Sequence, residues 1–310
     1  FEVEAYYKHG VGVQPGDIVF DVGANIGLFS LSASLQGAAS IYAFEPNPVV
    51  NAVLQQNLHL YDAPATVLPY GLGSRSGSAS FVHYPAFTSL SGLYADPEAD
   101  KAVVYSYIRR HTAPTPGTNG VAAEAQVLDE LLADKFERET IEIEVRSLSQ
   151  AMHELGVEYI DLLKINVEKS ELDVLQGIAA ADWGRIRQIA LELHDIDGRL
   201  ATVVDLLGAQ GYAVAVEQDW QLEESARSNY YVYATRGGRT PATGHAPRRI
   251  PASPFLTDGD LREFLRARLP DVMVPATIFL LEQMPLTANG KIDHARLAAI
   301  DATLPAANHD

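Results

Sequence analysis

Short hydrophobic runs of strand length recur along the first 235 residues, and stretches with helical periodicity lie between them. Two helices are predicted clearly, one over NPVVNAVLQQNLHLY and one over SELDVLQGI, where Ser170 is placed as the N-cap. Strands that alternate with helices indicate an α/β fold in which a mostly parallel sheet is covered by helices on both faces. The predicted strands are DIVFDVG, SIYAFEP, ATVLPYG, IDLLKINV, RQIALELHD, GYAVAVEQD and NYYVYATR.

The alternation of predicted strands and helices weakens in two parts of the chain. Residues 85–125 are rich in Pro, Gly, Ser, Thr and Ala, and a stretch of that length predicts a loop that covers the substrate. Residues 236–254 have the Gly, Pro, Ala, Thr and Arg composition of a linker. We therefore expect a domain over residues 1–235, a linker over 236–254 and a smaller unit over 255–310.

Charge and composition narrow the function classes. The formal net charge of -17 argues against binding to a nucleic-acid backbone. With no cysteine, disulfides and thiolate metal sites are excluded, and no paired His and carboxylate set at ligand spacing suggests a metal. Without a leader or an apolar run of about 18 residues, we expect a cytoplasmic protein with no membrane partner. The start at FEVEAYY suggests a piece of something longer.

The turn after the first predicted strand predicts a nucleoside site. The strand ends near Asp21, and Gly23 and Gly27 let the backbone turn and approach a ligand closely. Glu45 ends the second strand, where a carboxylate accepts hydrogen bonds from both ribose hydroxyls. Asn25 stands where a dinucleotide motif has its second glycine, so S-adenosylmethionine (SAM) is favoured, with Asp21 facing its charged tail. Alternatively, the glycines only end a strand and Glu45 is solvated.

Residues that end the fourth and fifth strands are expected to face the transferred methyl group. The fourth strand delivers Asn166 and Glu168, and the fifth delivers His194 and Asp195. His194 is the favoured base, oriented by Asp195 or Glu168, because imidazole titrates near neutral pH. The alternatives are that His194 is structural and that Asn166 and Glu168 cap the next helix. In the predicted cover, His83, Tyr84, Ser89 and Ser91 are candidate substrate contacts, as is Asp195; all five could equally be ordinary polar residues.

Four separated motifs of residues 1–235 resemble the FkbM family of class I SAM-dependent methyltransferases. They are VFDVGANIGLFSL, YAFEPNP, YGLGSRSGSASF and LLKINVEKSELDVLQGI. The resemblance implies a seven-stranded Rossmann-like sheet, SAM as cofactor and S-adenosylhomocysteine (SAH) as product, and it adds Asn25, Gly71, Leu72 and Asn166 to the predicted cofactor contacts. The family more usually reads KIDVEG at the fourth strand, where this chain has KINVEK.

The last fifty residues resemble a second family. LRARLPDVMVP, which follows a predicted amphipathic helix, and PLTANGKIDHARL are similar to the closing subdomain of nonribosomal peptide synthetase adenylation domains. That resemblance implies that Lys291 is the mobile lysine of adenylate formation and that the methyltransferase interrupts an adenylation domain. The implied partners are the adenylation core and a peptidyl carrier protein with a phosphopantetheine-tethered substrate. The leading hypothesis for the function is N-methylation of a tethered amino acid. The alternatives are O-methylation and a non-catalytic docking module.

Overall fold

The computed structural model describes residues 2–111, 133–218, 229–237 and 258–266, together with residues 285 and 296. The chain divides into two compact units, Phe1–Arg248 and Arg249–Asp310. In the second unit, the predicted amphipathic helix is present over Asp258–Arg266. Lys291 lies outside the described residues, so its predicted role in adenylate formation stays a prediction.

The first unit is built on a seven-stranded sheet whose strands match the seven predicted hydrophobic runs. The strands are β1 (Ile18–Val22), β2 (Ser40–Phe44), β3 (Ala65–Leu68), β7 (Leu162–Ile165), β8 (Gln188–His194), β9 (Ala213–Gln218) and β10 (Asn229–Thr235). The strand order is β3-β2-β1-β7-β8-β10-β9, and only β10 runs antiparallel to its neighbours. The predicted mostly parallel α/β fold is therefore confirmed.

Helices pack on both faces of this sheet because side chains alternate between the faces along each strand. Phe20 and Val22 of β1 face one side, where α4, α5 and α6 pack, whereas Val19 faces α1 and an amino-terminal 3-10 turn, Glu2–Tyr6. The helices of the first unit are α1 (Leu28–Leu35), α2 (Pro48–Leu60), α3 (Pro97–His111), α4 (Leu148–Glu154), α5 (Glu171–Gln176) and α6 (Arg199–Ala209), and the helix of the second unit is α7.

The sequence did not predict a second sheet. Three strands, β4 (Gly71–Leu72), β5 (Gly77–His83) and β6 (Glu139–Arg146), form it in the order β4-β6-β5. The β6 strand pairs with β5 in the antiparallel sense and with β4 in the parallel sense. This small sheet forms one wall of the cavity described below.

Two local predictions were wrong. The cover predicted as a loop contains a 3-10 turn at Thr88–Leu90 and the helix α3, whose sequence is polar on average and lacks a strong hydrophobic period. Ser170 does precede α5, but its hydroxyl donates to the Val167 carbonyl (2.9 Å) and makes no capping bond. Within the described part of the chain, every helix is too short or too polar to cross a bilayer.

Candidate active site

A cavity opens where β1, β2 and β7 end and where the small second sheet faces them. Its empty volume, counting space open to solvent, is about 770 Å³. Most of the lining is apolar. Among the described residues, its ionisable side chains are two carboxylates, Glu45 and Glu168. The remaining lining residues are Val22, Gly23, Asn25, Phe44, Pro46, Asn47, Val50, Gly71, Leu72, Phe81, Thr88, Ser89, Ser91, Leu93, Ile143, Val145, Asn166, Val167 and Ser170.

Glu45 is held in place by the two turns beside it. Its Oε2 accepts a hydrogen bond from the backbone N–H of Asn25 (3.1 Å), and its Oε1 accepts one from Asn47 (2.9 Å). Burial, which leaves it 7% exposed, raises the pKa of Glu45 to about 7, although the two N–H donors oppose that rise. A carboxylate has roughly four acceptor positions, so two remain for ligand hydroxyls. The predicted ribose contact is therefore sterically and chemically reasonable.

Gly23 lies where β1 leaves the sheet, with a φ of 75°. A Cβ there would lie 1.7 Å from the Asn166 carbonyl oxygen, so the missing side chain lets two strand ends approach each other. Gly27 also has a positive φ, but a Cβ there would meet Leu54 of α2 and the residue does not line the cavity. The sequence predicted that both glycines let a ligand approach the backbone. In the structure, each glycine instead leaves room for a neighbouring part of the protein, and of the two only Gly23 lines the cavity.

Asp21 does not line the cavity and is fully buried, contrary to the expectation that it faces the cofactor tail. Its Oδ1 lies 2.9 Å from Lys164 Nζ, and its Oδ2 accepts a hydrogen bond from the Ser30 hydroxyl (2.7 Å). Lys164 Nζ also donates to the Gly23 carbonyl (2.8 Å). The pair thus braces the strand end, because Lys164 comes from the neighbouring strand β7.

Asn166 lines the cavity with its amide orientation fixed. Its Nδ2 donates to the Tyr6 hydroxyl (3.1 Å) and to Glu192 Oε2 (3.0 Å), and Tyr6 in turn donates to the same Glu192 oxygen (3.2 Å). Its Oδ1 is buried without a partner among the described residues. An aspartate, which the family usually has here, would place a second carboxylate beside Glu192. The amide of Asn166 instead donates to the half-buried Glu192 carboxylate, which an aspartate could not do.

His194 lies behind Glu168 and does not line the cavity. Its Nε2 lies 3.3 Å from Glu168 Oε2, and its Nδ1 lies 3.4 Å from Glu171 Oε1. Burial acts to lower the pKa of His194, but the two carboxylates outweigh it and hold that pKa well above its ordinary range. An imidazole that is already protonated holds Glu168 in place and is unsuited to the predicted role of base.

The remaining predicted contacts divide between the cavity and the core. Gly71, Leu72, Ser89 and Ser91 line the cavity. Three others do not line it and are engaged within the protein, which argues against their predicted roles. His83 Nδ1 lies 2.8 Å from Asn47 Nδ2, Tyr84 is fully buried with its hydroxyl on Asp100, and Asp195 accepts from the N–H of Leu200 in α6.

Sequence reasoning missed the apolar wall of the cavity, which Phe81, Ile143 and Val145 of the second sheet provide. The signal was present in ETIEIEVR, where apolar residues alternate with charged ones as in a half-buried strand. It also missed Asn47, the N-cap of α2, whose side chain accepts a hydrogen bond from the N–H of Val49 (3.0 Å). Within the described part of the chain, no group of three His, Asp or Glu side chains could hold a metal.

Comparison with known proteins identifies the family of this chain. The family model for the methyltransferase FkbM domain matches residues 21–214. The chain is 41% identical over 221 residues to 31-O-demethyl-FK506 methyltransferase FkbM of Streptomyces tacrolimicus, covering 71% of this chain and 81% of that protein. It is 38% identical over 321 aligned positions to the AMB antimetabolite synthetase AmbE of Pseudomonas aeruginosa, covering 97% of this chain but only 15% of the synthetase.

Among solved structures, a methyltransferase FkbM from Methylobacillus flagellatus KT aligns over 74% of this chain and 47% of its own, with 15% identity and a TM-score of 0.44. The family model covers well over half of the chain and includes the ends of β1, β2, β7 and β8. The chain therefore belongs to the FkbM methyltransferase family, and it is a SAM-dependent methyltransferase related to proteins of nonribosomal peptide synthesis.

Proposed function

We propose that this chain methylates the α-amine of an amino acid that is held as a thioester on a carrier protein. The observation that carries the proposal is the charge of the cavity. Among the described residues, Glu45 and Glu168 line it and no lysine, arginine or histidine does. Above about pH 7, where Glu45 is ionised, such a lining attracts cations, and it disfavours phosphate or carboxylate groups at the same place.

The cofactor fits the end of the cavity at Glu45. Bound SAM supplies a methyl group on a positively charged sulfur. Glu45 offers its remaining acceptor positions to the ribose hydroxyls, and Asn25 and Asn47 keep both of its oxygens in place. The same negative charge stabilises a sulfonium and would repel the pyrophosphate of a dinucleotide. The site thus suits SAM better than NADPH.

The acceptor fits the end at Glu168 and Asn166. An α-ammonium is attracted to the Glu168 carboxylate, which lines the cavity together with Asn166. The amine must lose a proton before it attacks, and Glu168 is the cavity-facing group that can take one. His194, held between Glu168 and Glu171, keeps that carboxylate in one orientation.

The proposals of a carrier-tethered acceptor and of an adenylation partner rest on the relatives to which this sequence is similar. Nearly the whole chain is similar to a segment of a synthetase, and that segment is only 15% of the synthetase. The second unit, Arg249–Asp310, contains the stretch that resembles an adenylation subdomain. We infer that residues 1–235 are an insert, that residues 236–254 are a linker, and that residues 255–310 belong to an adenylation domain.

O-methylation of a hydroxyl is the second candidate. It is favoured by the 41% identity to a relative whose name assigns it a 31-O-demethyl-FK506 substrate. A hydroxyl is neutral, so the two carboxylates would not repel it, whereas they would repel a substrate carboxylate. O-methylation of a carboxyl group is therefore disfavoured by the cavity.

A matched pair of acceptors separates these candidates. A carrier protein is loaded with each of a panel of amino acids and, in parallel, with the matching α-hydroxy acids, and the protein is added with labelled SAM. We expect label on the nitrogen of an aminoacyl thioester and little on its hydroxyacyl partner, as located by fragmentation mass spectrometry. Transfer mainly to hydroxyacyl thioesters would overturn N-methylation in favour of the oxygen acceptor.

Glu45 makes cofactor affinity depend on pH. Its pKa is raised to about 7, so it carries a proton below that pH and can accept fewer hydrogen bonds. We expect the Kd for SAH to rise by up to about tenfold as the pH falls from 8 to 6. Calorimetric titration across this range measures it. Glu45→Gln is the matched control and should bind weakly with little pH dependence. An unchanged pH profile in that variant would assign the titration to another group.

A further inference from the structure

The loop that joins β7 to α5 contains two consecutive non-glycine residues with positive φ, Glu168 at 47° and Lys169 at 72°. This conformation suits glycine, which the family usually has at the second position, and it is strained for a lysine. A side chain kept in a strained conformation beside a functional cavity implies a compensating contact.

The compensating contact of Lys169 is a buried ion pair. Its Nζ lies 2.6 Å from Asp100 Oδ1, and the two side chains are 13% and 4% exposed. The other Asp100 oxygen accepts hydrogen bonds from the Tyr84 hydroxyl (3.2 Å) and from the backbone N–H of Asp96 (3.0 Å). The Lys169 backbone is fixed as well, because its N–H donates to Glu171 Oε1 (3.0 Å) and its carbonyl accepts from Arg199.

The ion pair joins two walls of the cavity. Lys169 lies on the loop that carries Asn166 and Glu168, whereas Asp100 lies on α3 in the cover segment, defined here as residues 84–111. The cover segment contributes Thr88, Ser89, Ser91 and Leu93 to the cavity lining. The two walls also touch directly, since a Cβ on Gly92 would lie 3.0 Å from the Glu168 carbonyl oxygen. A further contact joins the cover segment to α5, because the Tyr94 hydroxyl donates a hydrogen bond to Asp173 Oδ2 (2.8 Å).

We propose that Lys169 is a positioning residue and that its ion pair with Asp100 holds the cover segment against the loop that carries Glu168. The ion pair fixes the cavity wall that the cover segment forms and the position of the loop on which Glu168 lies. The proposal needs only the methyltransferase activity and does not depend on whether the acceptor is an amine or a hydroxyl.

Hydrogen exchange of the cover segment tests this without any acceptor. In Lys169→Gln and in Asp100→Asn, we expect the backbone amides of residues 84–105 to exchange at least tenfold faster, while those of β9 exchange at the wild-type rate. Lys169→Arg keeps the charge and should restore protection. Glu98→Gln is the matched control, because it removes an exposed carboxylate from the first turn of the same helix.

Lys169→Gly separates the ion pair from the strain. Glycine relieves the strained backbone, so we expect a Tm no lower than that of Lys169→Gln, together with the same rapid exchange of the cover segment. With an accepted substrate and saturating SAM, Lys169→Gly and Lys169→Gln should each lose at least tenfold in kcat. The KM for SAM should change less than threefold in both. Wild-type exchange in Lys169→Gln and Asp100→Asn would overturn the proposal, as would full turnover by Lys169→Gly. If no acceptor is methylated, the hydrogen-exchange measurement still tests whether the Lys169–Asp100 ion pair holds the cover segment.

Discussion

Replacement of Gly23 with alanine is expected to destabilise the first unit strongly. A Cβ at this position would lie 1.7 Å from the Asn166 carbonyl oxygen, which belongs to backbone and cannot rotate away. The positive φ of 75° adds about 1–2 kcal/mol for any residue other than glycine. Separating β1 from the end of β7 would also break the ladder on which the cavity is built. The total loss should exceed about 3 kcal/mol of unfolding free energy.

Soluble yield, circular dichroism and urea unfolding measure this effect. Gly208→Ala is the matched control, because Gly208 lies in α6 with nothing within 4 Å of its missing Cβ. That substitution should raise the free energy of unfolding by up to about 1 kcal/mol, since alanine favours helix. A folded Gly23→Ala protein within about 1 kcal/mol of the wild type would contradict the packing role of Gly23.

Breaking the Asp21–Lys164 pair is expected to cost about 3–5 kcal/mol of stability, because either single substitution leaves one charge buried without its partner. Lys164→Met and Asp21→Asn should each lower the Tm strongly. The double variant, Asp21→Asn with Lys164→Met, should recover much of the loss because no unpaired charge remains. Thermal unfolding of the three variants measures the coupling.

An exposed pair provides the control for this experiment. Lys8 pairs with Glu217 at the surface, where the two side chains are 43% and 35% exposed, and Lys8→Met should change stability by less than about 1 kcal/mol. If Asp21→Asn instead kept its stability and lost only cofactor affinity, the cofactor-tail role predicted from the sequence would be correct. Strictly additive effects in the double variant would contradict a coupled pair.

The hydrophobic pattern predicted the main sheet well, because strands buried on both faces read as continuous apolar runs. It missed the second sheet, where β6 exposes one face to solvent and carries glutamates between its apolar residues. It also missed α3, since Lys101, Asp100 and the alanines around them form a polar helix without a clear period. These omissions concern the wall and the cover of the cavity, whereas the scaffold was predicted.

Within the site, too, the sequence predicted the position of some residues and missed the surroundings of others. Glu45 could be predicted because it follows a buried strand directly, and strand ends meet at one edge of the sheet. Asp21 and His194 lie within the last residues of β1 and β8, yet each contacts a charged residue from another element, Lys164 in one case and Glu171 in the other. Whether a strand-end residue faces a cavity or a neighbouring charge depends on side-chain packing, which the linear sequence does not contain.

Calorimetric titration with SAH at pH 8 tests the central claim most directly, since that claim is that the cavity at Glu45 and Glu168 holds the methyl donor. The wild-type protein should bind one SAH with saturation, SAM should compete for the site, and NADPH should produce no heat of binding. Glu45→Ala should weaken SAH binding by about 1–3 kcal/mol through the loss of the ribose acceptor. Wild-type affinity in Glu45→Ala, or binding of NADPH in preference to SAH, would contradict the account.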